Sequence, residues 1–126
     1  MLKIIIASAL LAMAPAGAFA HGTPPAAAHG GQVAEDSGEN WVEVVIKGDR
    51  LAVYVVDEAK APVPSAKLTG KATVLVGGKS QSVALAPGDA NSLTGKLDPA
   101  ATGKVTAVLS LTVGDKPTQS RIAVQQ

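Results

Sequence analysis

From Gln32 onward the apolar residues recur with a period of two, in runs of strand length separated by glycine, proline and aspartate, and no stretch sustains a helical period. That spacing predicts an all-β domain. In Trp41-Val42-Glu43-Val44-Val45-Ile46-Lys47, Val42, Val44 and Ile46 share one face while Glu43 and Lys47 share the other, as a half-buried antiparallel strand requires. Gly48-Asp49 then turns the chain into a second strand, Arg50 to Val56. Further strands are expected at Lys71 to Val76, Ser80 to Ala86, Ser92 to Leu97, Lys104 to Val113 and Thr118 to Val124, with Gly77-Gly78 and Gly114-Asp115 as hairpin turns. Prolines 62 and 64 keep the segment after Val56 out of a central strand. About seven short antiparallel strands suit an immunoglobulin-like β-sandwich better than a barrel, with the strand order left open.

A chain of 126 residues has room for one such domain and one modest core. Zero cysteines exclude a disulfide framework, a thiolate metal site and a cysteine nucleophile, so packing alone must hold the core. The first residues have the layout of a secretory signal: Lys3, an apolar run from Ile4 to Ala14, and Ala18-Phe19-Ala20 as the cleavage site. The run is too short for a membrane span, and Pro15 and Gly17 break it. Residues 1–20 are therefore expected to be a cleaved signal peptide, 21–31 a flexible arm rich in proline, glycine and alanine, and 32–126 the sandwich. The expected destination is the periplasm, with extracellular release as the alternative, and no membrane insertion follows cleavage.

Function classes narrow by elimination. Of eleven basic residues one, Lys3, lies in the leader, and the remainder balances the ten acidic residues, so net charge draws no polyanion. Trp41 and Tyr54 are the only aromatic rings beyond the leader, which excludes a stacking platform for nucleic acid. Both histidines, His21 and His29, lie on the arm, so no Ser-His-carboxylate set is expected, and Gly77-Gly78 has no helix after it to cradle phosphate. The domain is expected not to be an enzyme. Carboxylate pairs such as Asp57-Glu58 read as solvated surface. Trp41 has the opposite parity to Val42, which puts it at the sandwich edge or under the returning arm.

The histidines carry the remaining chemistry. Cleavage after Ala20 makes His21 the first residue, and its free α-amine and imidazole can chelate one metal ion together. His29 can add a third nitrogen, a donor set that favours Cu(II), with Zn(II) and Ni(II) as weaker choices, and Glu35, Asp36 or Glu39 can complete the shell. Closing the arm between residues 21 and 29 costs roughly 2 kcal/mol, which one metal–nitrogen bond offsets. Such binding should weaken steeply below about pH 6, as imidazole and amine take up protons. Two histidines on a Pro/Gly/Ala arm also read as exposed and idle.

The pattern His29-Gly30-Gly31-Gln32-Val33, then Val42-Glu43-Val44-Val45, then Leu51 to Asp57 with Pro62-Val63, Lys71 to Val74, Val83 to Leu85 and Asn91 to Gly95, resembles a family of small exported bacterial proteins. The same run resembles an extra N-terminal module of periplasmic adaptor subunits in heavy-metal efflux systems of the resistance-nodulation-division type. The resemblance implies a periplasmic β-sandwich associated with copper or other heavy metals, in which His29-Gly30-Gly31 is the matched element with ligand chemistry. His21-Gly22 is more loosely similar to the start of CopC-type periplasmic copper proteins, from which this chain departs by lacking methionine beyond the leader. Asp57 to Val63 resembles a turn of bacterial immunoglobulin-like and carboxypeptidase-regulatory-like modules. Two readings follow: a monomeric periplasmic copper-binding accessory protein serving an efflux adaptor, or a non-catalytic envelope interaction module with no metal site.

Overall fold

The computed structural model describes residues 23–125. Eight strands run in chain order: β1 (Gln32–Glu35), β2 (Trp41–Lys47), β3 (Arg50–Val56), β4 (Leu68–Val76), β5 (Lys79–Pro87), β6 (Ser92–Lys96), β7 (Lys104–Val113) and β8 (Lys116–Gln125). A single 3₁₀ turn, Ser65–Lys67, precedes β4. The domain is all-β and antiparallel, as the alternation demands. All seven expected strands form, and β1 is an eighth, too short to show a period of its own.

The strands form one sheet in the order β1-β2-β3-β6-β5-β4-β7-β8, folded over so that its inner faces enclose a single core. The fold thus stands between a sandwich and a barrel. β5 makes the corner: Lys79 to Leu85 pair with β4, whereas Ala86 and Pro87 pair with Thr94 and Leu93 of β6. Val44, Val53, Leu93, Val74 and Leu109 are completely buried on the inner face. Full burial of such a side chain stabilises by about 1.5–3 kcal/mol, and with no cross-links these contacts dominate stability.

Loops lock both ends of the fold. The amides of Leu97 and Ala101 donate to the carbonyls of Asp49 and Gly48, pinning the β6–β7 connection beneath the β2–β3 turn. At the other end Ser37 exchanges two hydrogen bonds with Gln119, its amide donating to the Gln119 carbonyl and its hydroxyl accepting from the Gln119 amide, so the β1–β2 turn bridges to β8. Gly77 and Gly78 both have positive φ, 55° and 83°, which the tight β4–β5 turn requires.

Register sets out the opposite, outer face of β1, β2, β3 and β6 as rows of side chains. One row is Val33, Glu43, Tyr54 and Ser92, and the next away from the arm is Val45, Ala52 and Thr94. A third is Lys47, Arg50 and Lys96. Alternation alone predicts that this face is solvated. Instead Trp41 is 4% exposed and Glu43 7%, because the segment before β1 returns across them.

Candidate functional site

The site is built on Glu43, at the middle of β2, and on the three residues that precede β1. One Glu43 oxygen, Oε2, accepts hydrogen bonds from the backbone N–H of His29 and of Gly31, each at 2.9 Å. The other, Oε1, lies 2.9 Å from Nδ1 of His29. The His29 ring stacks on Tyr54, register partner of Glu43, with centroids 3.6 Å apart and planes 6° from parallel. One buried carboxylate thereby holds two amides and an imidazole, and the neighbouring phenol ring fixes the imidazole plane.

Gly31 permits this approach. A Cβ there would stand 2.2 Å from the carbonyl oxygen of Val44, so only glycine lets the chain pass this close to β2. Beyond it Pro25, Ala26 and Ala28 close over Trp41, leaving a largely apolar cavity of about 260 Å³ between them. Trp41 therefore sits under the returning arm, one of the two places its parity allowed, and among the described residues its indole N–H has no hydrogen-bond partner.

Burial pushes the Glu43 carboxyl up, but the hydrogen bonds from the His29 ring and from the amides of Gly31 and His29, with the charge of the ring when protonated, reverse this. The net effect holds it below its usual value near 4.5. An ionised carboxylate only accepts, so the His29 nitrogen facing it must carry hydrogen. In neutral His29 the lone pair then belongs to Nε2, and among the described residues nothing bonds to that atom. A histidine with one nitrogen tied to a carboxylate and the other holding a free lone pair is the arrangement used to orient metal ligands.

A stability consequence follows with a definite sign. A carboxyl whose folded pKa is depressed contributes stability that is complete above its unfolded pKa and is lost as pH falls through the folded value. The Glu43 contribution should be complete at neutral pH and decline below about pH 4.5. Denaturation midpoints of the wild type and Glu43→Gln should therefore differ at pH 7 and converge as pH falls below 4.5 and through the depressed folded pKa. A gap that stays constant across this range would show that the carboxylate charge is not what holds the segment.

The other sequence-predicted ligands are placed as follows. His21 and the expected leader, residues 1–20, lie outside the described residues. Asp36 caps the β1–β2 turn: Oδ1 accepts from the amides of Gly38 and Asn40, both at 2.8 Å, and Oδ2 accepts from the Asn40 side chain. Glu35 stands opposite Trp41 in the β1–β2 ladder. Glu39 is exposed within the turn, with φ 71°. Among the described residues no three of His, Asp and Glu gather closely enough to hold a metal ion. Sequence reasoning missed Glu43, although a carboxylate of the same parity as Trp41, within an otherwise apolar strand, was the available signal.

Comparison with family models, curated proteins and solved structures returned no match to this chain. Fold and site define it as an all-β domain that presents an oriented histidine on the outer face of its sheet. Among the described residues no helix is long and apolar enough to cross a membrane.

Proposed function

We propose that this chain is an exported, periplasmic metal-binding accessory protein that takes Cu(II) in preference to Zn(II) and works beside a heavy-metal efflux adaptor. The observation that carries the reading is the Glu43–His29 pair, which leaves the Nε2 lone pair of His29 available. In this reading His29 supplies one nitrogen, and the amine and imidazole of a processed His21 supply the others. Asp36 is occupied by its turn, so water completes the shell. The resemblance of His29-Gly30-Gly31 and the following strands to the N-terminal module of efflux adaptors supports the setting. The domain acts by holding and handing on the ion, without catalysis.

Calorimetric titration with Cu(II) of the chain beginning at His21 tests this, alongside Glu43→Gln and a His21→Ala/His29→Ala double variant. In Glu43→Gln the amide oxygen can still accept from the two backbone N–H groups, while its NH₂ group faces Nδ1 and forces hydrogen onto Nε2. Affinity should fall about 10–100-fold with the fold intact. Equal uptake by wild type and double variant would remove the arm as the site and leave the interaction-module reading.

A further inference from the structure

The row Lys47, Arg50 and Lys96 lies across the ends of β2, β3 and β6, with side chains on the face that carries His29 and Tyr54. On β2 and β3 the row between it and the Glu43–Tyr54 row is Val45 opposite Ala52. Because these side chains are short, the surface dips between the two rows into a depression of about 290 Å³. Its walls are Lys47 and Arg50 on one side and the stacked His29 and Tyr54 rings on the other, over a floor of Val45 and Ala52.

Among the described residues no carboxylate lines this depression. Glu43 lies beneath His29 with its side chain 8% exposed, and its oxygens are already engaged by three N–H groups. Among the described residues neither Lys47 nor Arg50 makes a side-chain hydrogen bond or ion pair. Asp49 and Asp89 line an adjoining open hollow, which shares Arg50, Ala52 and Tyr54 with the depression and has Lys96 as a further cation. Directly paired side chains on adjacent strands start about 5 Å apart, so Lys47 and Arg50 can reach two anionic groups of one small molecule. Arginine adds a planar fork that matches carboxylate and phosphate oxygens.

We propose that the depression between Lys47, Arg50 and the His29–Tyr54 stack binds a small oxyanion carrying two or more negative charges. The inference rests on the side-chain rows and needs no metal. The ring wall and apolar floor exclude water from one side of the anion, and the two cations hold it from the other.

The test is a metal-free NMR titration at low ionic strength with citrate and with inorganic phosphate, and with acetate as the singly charged control. Saturable shifts are expected at Lys47, Arg50, Ala52 and His29 with citrate, phosphate or both. Whichever of the two saturates identifies the class as polycarboxylate or phosphate. Acetate should produce none below about 10 mM. Arg50→Gln should weaken binding about tenfold or more, whereas Lys116→Gln, at the distant β7–β8 turn, should leave it unchanged. The proposal is overturned if neither multivalent anion saturates, if acetate matches them, or if Lys116→Gln weakens binding as much as Arg50→Gln. Because the titration contains no metal, its failure leaves the copper reading standing, and failure of the copper titration leaves this site intact.

Discussion

Glu43→Ala should lower the unfolding free energy by about 3 kcal/mol and strip the amides of His29 and Gly31 of their protection against hydrogen exchange. The variant loses the acceptor for two backbone N–H groups and the His29 ring together. Hydrogen bonds to a charged group contribute about 1.5–3 kcal/mol each, but the freed donors here can reach water, so the total stays well below the sum. His29 is already 41% exposed and rehydrates readily, whereas the cavity left above β2 has no new occupant. Glu43→Gln keeps the shape and the backbone acceptor, and its cost should be nearer 1 kcal/mol. Denaturant unfolding gives the stabilities and amide exchange gives the site. Unchanged exchange at residues 29 and 31 in Glu43→Ala would show that the carboxylate is not their anchor.

Gly31→Ala should be at least as damaging, by a different route. The new methyl group would sit 2.2 Å from the Val44 carbonyl oxygen and 2.9 Å from its carbon, atoms of a strand paired on both sides. Neither can retreat without breaking the ladder, so the chain must lift off β2, taking the His29–Glu43 bonds with it. A loss of about 3 kcal/mol is expected, together with loss of the His29–Tyr54 stack, visible as a change in the ring proton shifts. Gly30→Ala is the control. Gly30 has φ 75° and open space around its Cα, so alanine there meets only the backbone penalty of about 1–2 kcal/mol. Should the two alanine variants unfold at the same denaturant concentration, close approach at Gly31 is not what seats the arm.

Together these substitutions separate two ways of disabling His29. Glu43→Gln changes which nitrogen carries hydrogen while leaving the ring in place, whereas Gly31→Ala leaves the chemistry and moves the ring. Both should weaken the proposed copper binding, but only Gly31→Ala should also disturb the depression beside Lys47 and Arg50, because the rings form one of its walls.

Much of the architecture was legible in the residues because alternation is a local property. Val42, Val44 and Ile46, or Val105, Ala107, Leu109 and Leu111, must share a face wherever the strand goes, and Gly77-Gly78 accepts positive φ whatever surrounds it. All-β class, seven of the eight strands and the hairpin turns follow from such short-range constraints. Pairing partners are a long-range matter: the placement of β6 between β3 and β5, and the corner at Leu85 to Ala86, depend on which core contacts close with the least strain.

The candidate site divides along the same line. His29 stands out in the chain as an imidazole among glycines, but its partner lies fourteen positions away on a face that alternation assigns to water. Only the returning segment buries Glu43 and Trp41, and only register sets Lys47 beside Arg50 in a chain whose charges balance overall. Periodicity reports which way a side chain points from its own strand. What covers that side chain, and which charge stands next to it, is decided when distant segments pack.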